Sequence, residues 1–164
     1  MKITASGYYY AAKLKTWLEI GASDQGLRYL NFSQFGASES QNKSNRLIEE
    51  TFSQLDKYFN GKFSIFILSL DLSGWSDFQK DVWQSLMRIP FGATRSYRDI
   101  ALEIGRPMAC RAVGNANSRN PLPIIVPCHR VIKSDGSLGG YSSGINVKRL
   151  LLQHEAAHFE KEPI

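Results

Sequence analysis

Two capping boxes, each closed by a breaker, set the tightest limit on what this chain can fold into. Ser76 stands three residues before Gln79, and Ser96 three before Asp99. In that arrangement the first and third side chains of a helix start satisfy each other's backbone N–H groups. The first box opens a helix whose Phe78, Val82, Leu86 and Ile89 line one side until Pro90 stops it, and Phe91-Gly92-Ala93-Thr94 reads as a turn. The second opens a shorter helix with Tyr97, Ile100, Ala101 and Ile104 on one face, broken by Gly105-Arg106-Pro107. A third helix follows from near Met108 to Ser118. The later part of the chain must therefore be built of short helices, and the pair around Gly105 is a helix-turn-helix candidate. An ordinary pair of surface helices gives the same loose pattern.

The stretch before Ser73-Gly74 has another texture. Thr16 to Ala22 and Leu27 to Phe32 read as strands around Ser23-Asp24-Gln25-Gly26, a hairpin turn in which glycine supplies positive φ. Ser33 to Lys43 is a polar loop. Leu47, Ile48, Thr51, Phe52, Leu55, Tyr58 and Phe59 then recur at helical spacing, Asn60-Gly61 closes that helix, and an apolar strand is expected from Phe63 to Leu72. Tyr8-Tyr9-Tyr10 and Trp17 read as core and surface aromatics rather than a base-stacking platform. Helical period and charge both change at Ser73-Gly74, so residues 1–73 and 74–164 are expected to be separate domains, the chain as a whole being α+β.

At 164 residues and 43% hydrophobic the chain can bury a core of ordinary size. No apolar run approaches the roughly 18 residues that span a bilayer, and the amino terminus lacks a long apolar signal core, so a cytoplasmic protein without a membrane partner is expected. Only Cys110 and Cys128 are present, with three histidines, too few for a multi-cysteine metal site or a disulfide framework. No metal and no cofactor are expected, and Cys110 is most simply a small buried residue. Residues 1–73 carry 8 Lys/Arg and 7 Asp/Glu, residues 74–150 carry 11 and 5, and residues 151–164 carry 1 and 3. The positive excess thus sits in one segment, for which a polyanion such as DNA or RNA is the natural partner and a solvated basic face the alternative.

That segment holds the second thiol. Ile124-Ile125-Val126-Pro127-Cys128-His129-Arg130-Val131-Ile132 sets Cys128 between two β-branched apolar runs that each read as a buried strand. Cysteine is a strong nucleophile only as the thiolate, and His129 and Arg130 are the imidazole and the positive charge that lower a thiol's pKa. A small apolar core residue is the other reading of Cys128. In the helix before it, Ala109, Ala112, Val113 and Ala116 form a small inner face, while Arg111, Gly114, Asn115 and Ser118 share the outer one. Small outer residues permit close approach to a groove, where Arg111 could fill the gap left by an extruded base. Asn120, ahead of Pro121, should be extended and able to hydrogen-bond across the junction to the reactive strand. Ser134 to Gly144 is too rich in Gly and Ser for a core element and reads as a pocket wall. Asn146 should cap a last helix with Val147, Leu150, Leu151 and His154 inward and Glu155 near its end.

Arg111-Ala112-Val113-Gly114-Asn115-Ala116, Asn120-Pro121, Pro127-Cys128-His129-Arg130-Val131, Gly139-Gly140-Tyr141-Ser142 and the helix ending His154-Glu155 resemble the O6-alkylguanine-DNA alkyltransferases, also called methylated-DNA–protein-cysteine methyltransferases. The likeness is specific from about Asp77 to Glu155 and looser before it. It implies a ribonuclease-H-like first domain and a helix-turn-helix, winged-helix-like second one. It implies Cys128 as the alkyl acceptor, His129 as the base acting through a water, and Glu155 as its orienting partner. By the same resemblance Arg111 would replace a flipped nucleotide in the stack. Tyr97 would contact that nucleotide and help protonate the departing guanine, and Asn120 would be the hinge. Tyr141 and Ser142 would line the base pocket, and the main chain near Cys128 and Val131 would accept from the exocyclic amine. The partner implied is double-stranded DNA carrying O6-alkylguanine, met by a monomer that acts once. Some relatives bind zinc through first-domain cysteines, which are missing here. Other classes remain open at this point: a DNA-binding module with an inert thiol, and a cysteine hydrolase.

Overall fold

The computed structural model describes residues 2–36, 43–62 and 65–159, and the chain divides into two compact units, residues 1–73 and 74–164. Among the described residues no helix is long and apolar enough to cross a membrane.

In the first unit β1 (Ala5–Ala11), β2 (Thr16–Ala22) and β3 (Leu27–Ser33) form an antiparallel sheet in that order, the expected hairpin included. Alternation along β2 turns Leu18, Ile20 and Ala22 inward. Ile48, Leu55 and Tyr58 of α1 (Arg46–Phe59) are buried with them, and Asn45 caps that helix through the Ile48 N–H at 3.0 Å. Gly61, at φ 67°, follows its end.

The strand expected from Phe63 to Leu72 does not form over its described part. Phe63 and Ser64 lie outside the described residues, and residues 65–72 make only one bridge, Leu27 with Leu70. The reason is a side chain acting as a sheet neighbour. Gln54 of α1 accepts from the Ile67 N–H and donates to its carbonyl, both at 2.9 Å, so this backbone is satisfied without a ladder. Ile65 and Ile67 point to solvent instead. Of the polar loop expected from Ser33 to Lys43, residues 37–42 lie outside the described residues, and Lys43 pairs with Ser6 of β1.

The second unit contains α2 (Asp77–Met87), β4 (Arg95–Ser96), α3 (Tyr97–Glu103), α4 (Cys110–Ser118), β5 (Val131–Ile132) and α5 (Ile145–Phe159). Both capping boxes are formed. Trp83 is fully buried and its indole N–H donates to the Ala116 carbonyl at 2.9 Å, fastening α2 to α4. The inner face of α4 is rotated from the expected one: Val113, Ala116 and Asn117 are buried, and Ala112 is exposed. Cys110, expected to be buried, is partly exposed beside the Pro107 carbonyl.

Only one of the two runs flanking Cys128 is a strand. Val131-Ile132 pairs in parallel with Arg95-Ser96, but residues 122–126 form a tight turn with Ile124 at φ 76°. Asn120 holds that turn, accepting from the Leu122 N–H at 3.0 Å and donating to the Val126 carbonyl at 2.8 Å. β-Branched content there reflects burial, not extended backbone, and a β-branched residue in the left-handed region costs about 1–3 kcal/mol. The last helix begins at Ile145, so Asn146 lies within its first turn, where it accepts from Arg149 at 2.8 Å. Its inward stripe holds Lys148, Leu151, His154 and Glu155, while Leu150, expected inward, is exposed.

Candidate active site

Cys128, His129 and Arg130 form a single 3₁₀ turn after Pro127. Three residues per turn send consecutive side chains about 120° apart, so neighbours in sequence face different surroundings. The Cys128 sulfur is buried, 4.0 Å from the Tyr141 hydroxyl. Burial pushes the thiol up, and Asn120, Tyr141 and the Lys148 ammonium draw it back toward the thiolate. The Asn117 amide donates to the Cys128 carbonyl at 3.3 Å.

His129 turns toward α5. Its Nε2 lies 2.7 Å from Glu155 Oε1 and both side chains are fully buried. Burial pushes the imidazole down, outweighing the upward pull of Glu155. A neutral ring that donates from Nε2 to the carboxylate leaves Nδ1 as a basic lone pair. That Nδ1 is buried and makes no hydrogen bond among the described residues.

Arg130 departs from expectation. It serves Glu155 rather than the thiol, donating from Nε and Nη2 to the two carboxylate oxygens, each at 2.9 Å. Its Nη1 donates to the Ile89 carbonyl at 2.7 Å and its guanidinium lies 5.8 Å from the centre of the Phe91 ring. The Gly92 N–H adds a hydrogen bond to Glu155 Oε2 at 3.1 Å. Burial works against the carboxylate, yet His129 and Arg130 outweigh it and hold Glu155 far below the usual carboxylate range. It is thus an anion whose charge Arg130 largely neutralises, leaving it to orient His129 without protonating it.

A cleft of about 310 Å³ is lined by Tyr97, Gly114, Asn117, Ser118, Gly140, Tyr141 and Ser142, with the thiol behind the Tyr141 hydroxyl. Its volume sits at the small end of ligand pockets. Tyr97 lies between two glycines: a Cβ on Gly114 would stand 3.7 Å from its ring, and one on Gly139, at φ 68°, 3.2 Å from its hydroxyl. Of the residues singled out in the sequence, Cys128, His129, Glu155, Asn120, Tyr97, Gly114, Ser118, Tyr141 and Ser142 come together here. Arg111 is exposed on α4, and Asn115 lines a different hollow with Ser76, Phe78, Gln79 and Arg119. The Val131 side chain is buried, and its carbonyl accepts from Lys148 Nζ at 2.5 Å. Sequence reasoning missed Lys148, Asn117, Gly92 and the partner of Arg130. The only signal was polar residues falling on the inward phase of α4 and α5.

Comparison with known proteins bears on this site. A family model described as the DNA binding domain of 6-O-methylguanine DNA methyltransferase matches residues 77–157, and one described as its ribonuclease-like domain matches residues 9–72. A methylated-DNA–protein-cysteine methyltransferase of Methanosarcina barkeri is 46% identical over 142 residues, 83% of this chain and 88% of its own. One from Mycobacterium leprae is 55% identical over 111 residues, 68% of this chain and 67% of its own. Among solved structures, Mycobacterium tuberculosis OGT in complex with DNA superposes with a TM-score of 0.82 at 40% identity, covering 93% of each chain.

Proposed function

The chain belongs to the methylated-DNA–protein-cysteine methyltransferases, DNA-binding enzymes of DNA repair, and from that premise we propose that it moves the alkyl group of O6-alkylguanine in duplex DNA irreversibly onto Cys128. Guanine O6 lies on the major-groove edge of a paired base, beyond the reach of a buried sulfur, so the nucleotide rotates out of the stack into the cleft between Tyr97 and Tyr141. Arg111 fills the space it leaves, while Gly114, Asn115 and Ser118 let α4 lie close to the minor groove. Tyr141 and Ser142 flank the base, and Asn120 is the hinge between α4 and the reactive turn. Residues 74–164 bind DNA and accept the alkyl group, with residues 1–73 as an accessory domain.

His129 takes the Cys128 proton through a water, and Glu155 stabilises the resulting imidazolium. The sulfur attacks the alkyl carbon, forming C–S as C–O6 breaks, and the electron pair passes to the guanine ring. Tyr97 helps to protonate it, and the departing base is ordinary guanine. A thioether has no easy leaving path, so each molecule reacts once, as a monomer and without a cofactor, in the cytoplasm or wherever DNA lies.

The observation that carries this reading is the fully buried His129–Glu155 contact of 2.7 Å set in the same turn as the thiol. Incubation with an O6-methylguanine duplex followed by intact-mass and peptide analysis tests it. One added methyl on Cys128, with no second turnover, is expected. An unchanged mass with retained lesion binding would mean a recognition module instead.

A further inference from the structure

Asn117, in the last turn of α4, is only 5% exposed, and half of its amide has no assigned role. Its Nδ2 donates to the Cys128 carbonyl at 3.3 Å. That contact fixes the orientation of the amide, since the flipped one would set oxygen against oxygen. The remaining atom, Oδ1, is buried and has no partner among the described residues. A buried acceptor without a donor is costly, so a fold that keeps one calls for an explanation.

Asn117 also lines the cleft that Tyr97 and Tyr141 share. The other polar side chains of that lining are hydroxyls. Ser118 already donates to the Asn115 carbonyl at 2.9 Å, and the hydroxyls of Tyr97, Tyr141 and Ser142 can donate as well as accept. Asn117 Oδ1 can only accept. The main-chain carbonyls of Cys128 and Val131 are already engaged, one by the Asn117 amide and the other by Lys148 Nζ. The chemistry of the base selects what such an acceptor can meet. Alkylation at O6 leaves guanine N1 without a proton, so the ring nitrogens of the flipped base accept and its exocyclic amine is the donor it carries.

We propose that Asn117 is a specificity-determining residue: its Oδ1 accepts from the exocyclic amine of the flipped O6-alkylguanine. The inference rests on the alkyl transfer proposed above. Because the same amide is held on the Cys128 carbonyl, the anchor of the amine and the reacting sulfur belong to one hydrogen-bonded unit. The base is registered against the thiol through the side of its ring opposite the alkyl group. An analogue without the amine leaves Oδ1 unpaired, and an unmet buried group of the site is what rejects such analogues.

Two duplexes that differ in that amine alone test this, one carrying O6-methylguanine and the other O6-methylhypoxanthine, each followed by single-turnover methyl uptake. The wild-type chain is expected to favour O6-methylguanine by about tenfold, the size of one buried hydrogen bond. In Asn117→Leu, similar in size but without the acceptor, the preference falls to within about twofold of none. The ratio is the readout rather than the absolute rate, because leucine also releases the Cys128 carbonyl and that loss acts on both duplexes alike.

Equal wild-type rates on the two duplexes would overturn the proposal. So would a preference that Asn117→Leu keeps at its full size, which leaves Asn117 a tether for the Cys128 turn. If Asn117→Leu does not fold, Asn117→Ser, polar but too short to reach as far, goes through the same comparison, and an undiminished preference overturns the proposal there too. Absence of methyl uptake from either duplex would instead sink the functional reading, and this inference with it.

Discussion

Asp71 in the first unit and Glu155 in the second are both buried carboxylates kept ionised, but by different donors. Asp71 accepts from the Ser23 hydroxyl at 2.6 Å, from the Ser73 N–H at 3.0 Å and from the Ser73 hydroxyl, with Arg28 at 3.5 Å. Burial opposes the charge, and these donors outweigh it. Apart from the arginine, every partner of Asp71 among the described residues is a neutral dipole that carries no proton to gain or lose near neutral pH. Glu155 shares its oxygens between an arginine and a histidine, and the histidine can change. The same physics therefore gives a lock in one unit and a device in the other.

Removing the sulfur tests that assignment most severely. Cys128→Ser is expected to abolish methyl uptake, read as intact mass, while a gel-shift with O6-methylguanine duplex still shows binding. Retained uptake would break the contrast at its root. Next in size is a matched pair of neutralisations. Glu155→Gln leaves the buried Arg130 without its counterion, and loss of one partner of such a pair costs about 3–5 kcal/mol. It also removes the group that orients His129, so the single-turnover rate is expected to fall by at least about tenfold. Asp71→Asn should cost about 1–3 kcal/mol, the range for hydrogen-bonded polar groups, and leave the rate unchanged. Urea denaturation and rapid-quench kinetics on both variants decide it.

The pH dependence of stability should separate the units without any mutation. His129 titrates below its ordinary value when folded, so between the folded and unfolded midpoints the unfolded chain binds the extra proton. Stability of the second unit is then expected to decline as pH falls below about 6.5, the unperturbed imidazole value. Glu155 and Asp71 are both depressed when folded, so their contributions, full above the carboxylate range, are lost only at about pH 4 and below. Native-state hydrogen exchange, resolved by residue, should show α5 and the 128–130 turn loosening at a pH where β2 and α1 hold. Simultaneous loosening would mean that His129 does not govern the second unit.

Much of this was visible in the sequence where local chemistry decides the outcome. Ser76 with Gln79, Ser96 with Asp99 and the Ser23–Gly26 turn depend on residues within a few positions of one another, and they formed where expected. The resemblance named the residues of the thiol's surroundings because their spacing is distinctive. What stayed hidden was set by tertiary partners. Nothing local says that Gln54 will stand in for a strand neighbour of Ile67, that Asn120 will hold Ile124 at positive φ, or that Arg130 will leave the thiol for a carboxylate 25 residues on. α5 misled for a related reason. Its inward stripe carries Lys148 and Glu155 along with the expected Leu151 and His154, and a reading that equates inward with apolar places Leu150 there instead.

The smallest expected effect sets two glycines against each other. In the first unit Gly21 lies across from Tyr29, and a Cβ there would stand 2.1 Å from a ring carbon, so Gly21→Ala must displace the ring or the strand and destabilise the sheet. Gly114 sits inside α4, where a Cβ would meet the Tyr97 ring at 3.7 Å, an ordinary contact. Alanine is the better helix former there by about 1 kcal/mol. Folding alone therefore favours alanine at 114, and Gly114→Ala is expected to stabilise the second unit slightly in thermal denaturation. If glycine is there to let α4 come close to DNA, the same variant should bind lesion duplex more weakly, by a few-fold in a fluorescence titration. A variant both stabler and equal in binding would show that Gly114, like Gly21, answers only to packing.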